Sequence, residues 1–324
     1  MVARMISGAT AASFSTASAY IADVTPPERR AKAFGLVSAA FGLGFIIGPA
    51  VGGVLGGDIR IGDTLIFDGN PRLPFWVATG LCLINALYGL FVLPESLPKD
   101  RRSPFRWRNA NPVGAFRFLQ QRPAMTGFAW VQFLSFLVHA IYPSLFALYI
   151  TTRFNWGSEG AGLALAMVGL SSIIVGAFLV QPTLNWLGER RALLLAMGSW
   201  VAALLIFGLA PTPVVFLTGL VVGAISGVGG PAISAIMTRM IAPTEQGALQ
   251  GSLGALRGLA DMIGPVLFST WAFGLGLSPA VGLPGLPWLL AAAIMTVAWG
   301  LVYVLTRQVG PTTDPAPPEA GTNP

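Results

Sequence analysis

Nine apolar runs follow one another along this chain, roughly 2–22, 33–56, 73–93, 124–150, 160–184, 191–210, 213–238, 248–276 and 286–306. Each is about the 20 residues that a bilayer's hydrocarbon core requires. Hydrocarbon offers no water to a backbone N–H or C=O, so each run must close its own hydrogen bonds as a helix. The expected fold class is therefore an all-α polytopic membrane protein. Composition agrees: 54% of residues are hydrophobic and 10% charged, against about 25% charged in a soluble domain.

The residue inventory excludes several functions. The net charge is +6, but the basic residues sit in short loops between apolar runs, which reads as topology and not as a nucleic-acid surface. Cys82 is the only cysteine and lies inside an apolar run, and His139 is the only histidine. A disulfide, a thiolate or multi-histidine metal site and a metal-dependent active site are all unexpected. No cofactor is expected, and no His-Glu-x-x-His run or serine with a base in reach suggests an enzyme.

Loop charges set the sidedness. Arg29, Arg30 and Lys32 fill the first loop, while Arg60 and Arg72 in the second are balanced by Asp58, Asp63 and Asp68. The third, Pro94 to Arg122, holds seven lysines and arginines, and Arg190-Arg191, Arg239 and Arg307 continue the alternation. The positive-inside rule then predicts an external N-terminus and a cytoplasmic C-terminus, in an inner (plasma) membrane. Within the third loop, 111–121 has the pattern of a short interfacial helix linking two bundles, with a regulatory site as the alternative. Residues 314–324 form a Pro/Thr-rich tail with no means of folding.

The second run carries a particular pattern. Ala40, Gly44, Gly48, Gly52 and Gly56 recur every four residues, so they form one smooth stripe on which a neighbouring helix can pack backbone to backbone. Pro49 removes a backbone donor in mid-membrane, which packed membrane helices tolerate. A shift of 216 residues overlays the chain on itself without a gap. Gly48-Pro49 falls on Gly264-Pro265, Gly35, Ala39 and Gly42 on Gly251, Ala255 and Gly258, and Pro27 on Pro243. Runs one to three thus answer runs seven to nine, as in transporters built from parallel repeats. Runs four to six have no counterpart. A six-helix repeat unit then predicts three further helices ahead of Met1.

These features carry a family resemblance. Gly48-Pro49 with Gly52-Gly53, on the stripe that includes Gly44, resembles the antiporter motif on the fifth helix of drug-exporting major facilitator superfamily transporters. Arg4-Met-Ile-Ser-Gly8 resembles the conserved-arginine motif of the fourth helix, and Tyr20-Ile-Ala-Asp23 with Glu28-Arg-Arg-Ala31 its exit. Leu93-Pro-Glu-Ser96 is similar to the usual end of helix six. Thr152-Arg-Phe-Asn-Trp156, the loop motif Gly188-Glu-Arg190-Arg191, and Gln246-Gly-Ala-Leu-Gln-Gly251 followed by Gly264-Pro265 resemble the tetracycline/proton antiporter branch. The resemblance covers Arg4 to about Arg307 and implies a major facilitator fold with nine of twelve helices present. It implies residues 1–93 as the second part of an N-terminal bundle, 94–122 as a basic cytoplasmic loop, 123–308 as a six-helix C-terminal bundle and 309–324 as a disordered tail. The chain also departs from the pattern. In Gln181-Pro-Thr-Leu-Asn-Trp-Leu-Gly188, which resembles a second-half echo of the family's Gly-Asp-Arg-Gly-Arg loop, Gln181 stands for the glycine and Asn185 for the aspartate, and Ser172 and Gly176 stand where that branch has a histidine and a glutamine.

Polar residues at membrane depth are the functional candidates, because charges in hydrocarbon face an interior or water and mark a pathway. Arg257 and Asp261 are four apart and share a helix face. They fit either substrate binding and switching or an ion pair locking the helix. His139, beside Tyr142 and Pro143, suits proton coupling or a hydrogen-bonded core role. Arg4 is a proton-coupling candidate by resemblance, with an end-of-helix snorkelling charge as the alternative. Asp23 with Arg29 and Arg30 reads as a cytoplasmic inter-helix lock. Trp130, Phe133, Phe136 and Tyr142 line a drug cavity or face lipid. The expected function is proton-coupled efflux of small amphipathic drugs by alternating access, from a monomer whose partners are substrate, protons and the bilayer. A shortened, inactive transporter or a start site placed too late is the alternative, and an intramembrane enzyme or assembly factor a third reading.

Overall fold

The structure is a computed structural model describing residues 13–56, 59–61, 64–67, 70, 72–96, 118–120, 123–156 and 158–308. The helices are α1 Ser13–Val24, α2 Arg30–Gly56, α3 Leu73–Phe91, α4 Pro123–His139, α5 Ile141–Phe154, α6 Ser158–Ile173, α7 Val180–Leu209, α8 Pro213–Ala224, α9 Gly229–Arg239, α10 Gln246–Pro265, α11 Phe273–Leu277 and α12 Leu286–Gln308. Two strands, β1 Ile59–Ile61 and β2 Thr64–Phe67, form an antiparallel hairpin between α2 and α3, with Arg60 opposite Leu65. The membrane-crossing segments are helical as expected; this hairpin is the addition, in a loop where water and a partner strand can serve the backbone.

Seven helical stretches among the described residues are long and apolar enough to cross a membrane: Pro27–Gly48, Leu73–Phe91, Met125–Phe154, Ala164–Leu209, Pro213–Arg239, Gln246–Leu277 and Leu286–Arg307. The nine expected runs reduce to seven for two reasons. The first run lies partly outside the described residues. The fifth and sixth join at Gly188, whose φ of 72° breaks the helix in a conformation that favours glycine.

Local chemistry explains the irregularities. Met125–Phe154 divides at Ala140 into α4 and α5. Pro143 has no N–H to donate to the His139 carbonyl four residues earlier, so the ladder fails there. The Ser144 hydroxyl donates to the Ala140 carbonyl at 2.6 Å instead. Wide π turns follow α6 at Ile174–Leu179 and α10 at Val266–Ala272, the second directly after Pro265.

The core lies among α4–α12. Trp288, Tyr149, Phe207 and Phe216 are fully buried, and Trp288 sits edge-on to Tyr142, Tyr149 and Phe207 with ring centroids 5.2–5.6 Å apart. The Tyr149 hydroxyl donates to the Phe207 carbonyl at 2.9 Å, which joins α5 to α7.

The smooth face of α2 is used differently from the expectation. A Cβ added at Gly44, Gly48 or Gly52 would meet nothing within 4 Å. Gly44 instead lines an open apolar hollow of about 560 Å3 with Ala17, Ser18, Ile21, Val37, Ala40 and Phe41. The close helix approach is on the opposite side. A Cβ at Gly35 would lie 2.6 Å from the Gly176 carbonyl oxygen, and one at Gly42 2.5 Å from that of Gly169. Glycines seven apart on each helix therefore let α2 and the α6 segment touch backbone to backbone.

Candidate functional site

Two places gather the polar residues, one at membrane depth and one at the end of the molecule that carries Arg30, Arg190 and Arg239, here the basic end.

At depth, α10 presents Arg257 and Asp261. Arg257 Nε lies 3.8 Å from Asp261 Oδ2, and the two side chains are 43% and 55% exposed. That separation is an electrostatic contact longer than a hydrogen bond. The Arg257 guanidinium stands 5.7 Å above the Phe136 ring, within cation–π range. His139, three residues further along α4, shares that side of the helix, is exposed, and lies within electrostatic reach of Arg257. Its ring meets those of Tyr142 at 5.6 Å and Trp200 at 6.4 Å, and the Trp200 indole donates to the Tyr142 hydroxyl at 3.2 Å. Thus α4, α5, α7 and α10 bring together a guanidinium, a carboxylate, an imidazole and aromatic faces. Such a set can hold one ionised group of a ligand beside an apolar part and can exchange a proton. Trp130 is half-exposed and edge-on to Phe133 at 5.9 Å, a turn or more away.

At the basic end, Arg30 crosses between distant parts of the chain. Its Nη1 donates to the Thr238 carbonyl at 3.4 Å, its Nε to the Thr25 carbonyl at 3.2 Å. Thr238 lies in the last turn of α9, where the partial negative charge of a helix C-terminus favours a cation. Gln246 Nε2 donates to the same carbonyl at 2.9 Å. Arg239 forms a salt bridge with Glu189 and lies within electrostatic reach of Glu28. Asp23 accepts from the Ser96 hydroxyl at 3.0 Å and lies within reach of Arg30. Of the Asp23, Arg29 and Arg30 group, Arg30 bridges to the Thr238 carbonyl with Asp23 within its reach, and Arg29 is exposed. In the loop motif, Gly188 makes the turn, Glu189 makes the bridge, and Arg190 and Arg191 are exposed.

Arg4 lies outside the described residues, as does the packing of Pro49 and Gly53. Thr238 and Trp200 belong to none of the sequence motifs, and Glu189 and Gln250 enter only as members of the 188–191 and 246–251 motifs. Among the described residues no group of three His, Cys, Asp or Glu is placed to hold a metal ion.

Comparison with known proteins agrees with this architecture. The profile of the Major Facilitator Superfamily matches residues 1–265 and 128–323. The chain is 32% identical over 294 residues to the tetracycline resistance protein, class C, of Escherichia coli, covering 91% of this chain and 70% of that protein. It is 32% identical over 274 residues to the class G protein of Vibrio anguillarum, covering 83% and 65%. It is 30% identical over 269 residues to the Hippocampus abundant transcript 1 protein of Mus musculus, covering 81% and 53%, so the chain spans about half the length of that relative. Among solved structures, the human organic anion transporter MFSD10 (TETRAN) aligns with a TM-score of 0.75 at 21% identity, over 89% of this chain and 67% of that one. A bacterial homologue of the iron transporter ferroportin, in an outward-facing state, aligns with a TM-score of 0.61 at 15% identity, over 88% and 66%. This chain is a multi-pass membrane protein of the Major Facilitator Superfamily, a family of small-molecule transporters.

Proposed function

We propose that this protein exports small amphipathic compounds across the inner membrane in exchange for protons. The observation that carries the reading is the Arg257–Asp261 pair on α10, half-exposed at membrane depth beside Phe136 and His139. A charge pair in that position marks a path for an ion or a charged substrate. Asp261 binds a proton or the cationic end of a substrate, Arg257 holds the carboxylate when neither is present, and Phe136 supplies an apolar face. The arginine distribution makes the basic end cytoplasmic. With Arg30 bonded to Thr238, the arrangement corresponds to a state closed towards the cytoplasm. Parting of residues 1–93 from 123–308 at that end completes alternating access. The tetracycline resistance relatives support drugs as the substrate class, while Ser172 and Gly176 argue for a substrate other than tetracycline.

In everted membrane vesicles, an imposed pH gradient, acid inside, should drive ethidium accumulation by the wild type and not by Asp261→Asn. Equal accumulation by both proteins would refute the assignment. A second reading rests on α3, which buries none of its side chains, and on the open hollow between α1 and α2. In that reading the transport-competent unit has further helices packed against those faces. Ethidium transport appearing only on co-expression of such helices would decide for it.

A further inference from the structure

The polar side chains of α10 lie on one line. Gln246, Gln250, Arg257 and Asp261 stand at helical spacings of four, seven and four, within an arc of about 60° and over about 22 Å of axis. The side chains of Asp261 and Arg257 are about half-exposed, whereas Gln250 and Gln246 are buried. The line is open at depth and sealed at the basic end.

Two atoms in the sealed part have no hydrogen-bond partner among the described residues, Oε1 of Gln246 and Nε2 of Gln250. Gln246 donates through its own Nε2 to the Thr238 carbonyl, which fixes its Oε1 as the atom turned elsewhere. One orphan is an acceptor and the other a donor, a single helical turn apart. Leaving a buried polar atom bare is costly, and ordered water is the usual remedy at a polar buried site. One water can donate to Gln246 and accept from Gln250. Between Gln250 and Arg257 the line is bordered by the buried side chain of Leu253 on one side and by Gly254 on the other, and only the Gly254 side is exposed.

We propose that this line is the route by which a proton leaves Asp261 for the cytoplasmic face, carried by water seated between Gln250 and Gln246. The proposal rests on the proton-coupled reading above. In the first step the O–H bond of protonated Asp261 breaks and its proton joins a neighbouring water. The hydronium passes a proton to the next water, and the last one releases it at the basic end. The carboxylate left behind returns to Arg257. The glutamine amides carry no proton; they orient the water. The mouth lies at the Thr238 carbonyl, where Arg30 and Gln246 both donate. Withdrawal of Arg30 opens it. The helices packed on α10 bring further titratable groups: Tyr20 and Asp23 on α1, His139 on α4, and Tyr142, Tyr149 and Arg153 on α5. None of them is on the line.

Two measurements on the full chain test this. A structure that resolves ordered water should show one bonded to Gln246 Oε1 and Gln250 Nε2. An amide of Gln250 bonded only to protein, with no water beside it, overturns the route. In proteoliposomes, ethidium counterflow needs no net proton step, whereas uptake driven by a pH gradient does. Gln250→Leu keeps the side-chain size and removes the hydrogen bonds. It should leave counterflow near the wild-type rate, which also reports folding, and slow gradient-driven uptake about tenfold or more, the scale of one stranded hydrogen-bonding group. If Gln250→Leu matches the wild type in both, the route is wrong and proton coupling stands. If the wild type itself shows counterflow and no response to the gradient, the coupling reading fails and takes the route with it.

Discussion

Arg30→Ala should loosen the closed basic end by a measurable amount. The side chain makes a charge-assisted bond to the Thr238 carbonyl at 3.4 Å and a second to the Thr25 carbonyl at 3.2 Å. Only the first joins α2 to α9, 208 residues away. Hydrogen bonds to charged groups contribute about 1.5–3 kcal/mol net. This one is long and only partly buried, so about 1 kcal/mol is the better figure, which multiplies the open population about fivefold. Ala22, at the end of α1, is fully buried at the same end. A cysteine placed there, in a Cys82→Ser background, reacts with a maleimide only when the end opens. Its labelling rate follows the open fraction. Arg30→Ala should raise that rate about fivefold, and Arg30→Lys less, since a lysine keeps the charge without the fork. An unchanged rate would refute the claim that Arg30 holds the two parts together.

Other perturbations have distinct signatures. Gly176→Val should sharply lower the yield of folded protein, because a Cβ at Gly176 would press on the Gly35 carbonyl and lie 2.8 Å from the Ala39 nitrogen; overpacking of this kind costs about 1–3 kcal/mol. Arg257→Ala and Asp261→Ala should each abolish gradient-driven transport and lower thermal stability by no more than about 1 kcal/mol, because the pair is half-exposed. The double variant should regain no transport. Glu189→Ala, which removes a one-third-exposed salt bridge to Arg239, should change stability by about 0.5 kcal/mol at most and leave transport intact. A reporter fused after Arg108 should read cytoplasmic and one after Asp63 external, as topology assays will show.

The spans were legible because hydrocarbon length and charge content leave few alternatives, and Arg257 and Asp261 because charges inside an apolar run stand out. The packing face of α2 was not. Two sets of small residues lie on that helix, one every four residues from Ala40 and one formed by Gly35, Ala39 and Gly42. Only the partner glycines Gly169 and Gly176 decide between them, and they sit more than a hundred residues away. The same contact explains why Gly176 is glycine: no larger side chain fits against Gly35. The seam at Thr238 was hidden for a different reason. Its acceptor is a backbone carbonyl, which every residue has, so nothing in the residue type advertises it. Glu189 and Arg239 were visible as loop charges without any sign that they pair. The break at Ala140 divides a run that reads as one span, 124–150, and comes from Pro143, which has no donor for the His139 carbonyl.

In the proposed cycle, substrate and proton exchange through Asp261. Proteoliposomes can be loaded with ethidium and the pH dye pyranine, with no pH gradient imposed, and then diluted. Ethidium leaving down its own gradient should pull protons inward and acidify the interior, and Asp261→Asn should show no acidification coupled to dye exit. Wild-type protein that releases ethidium while internal pH stays constant would rule out this exchange.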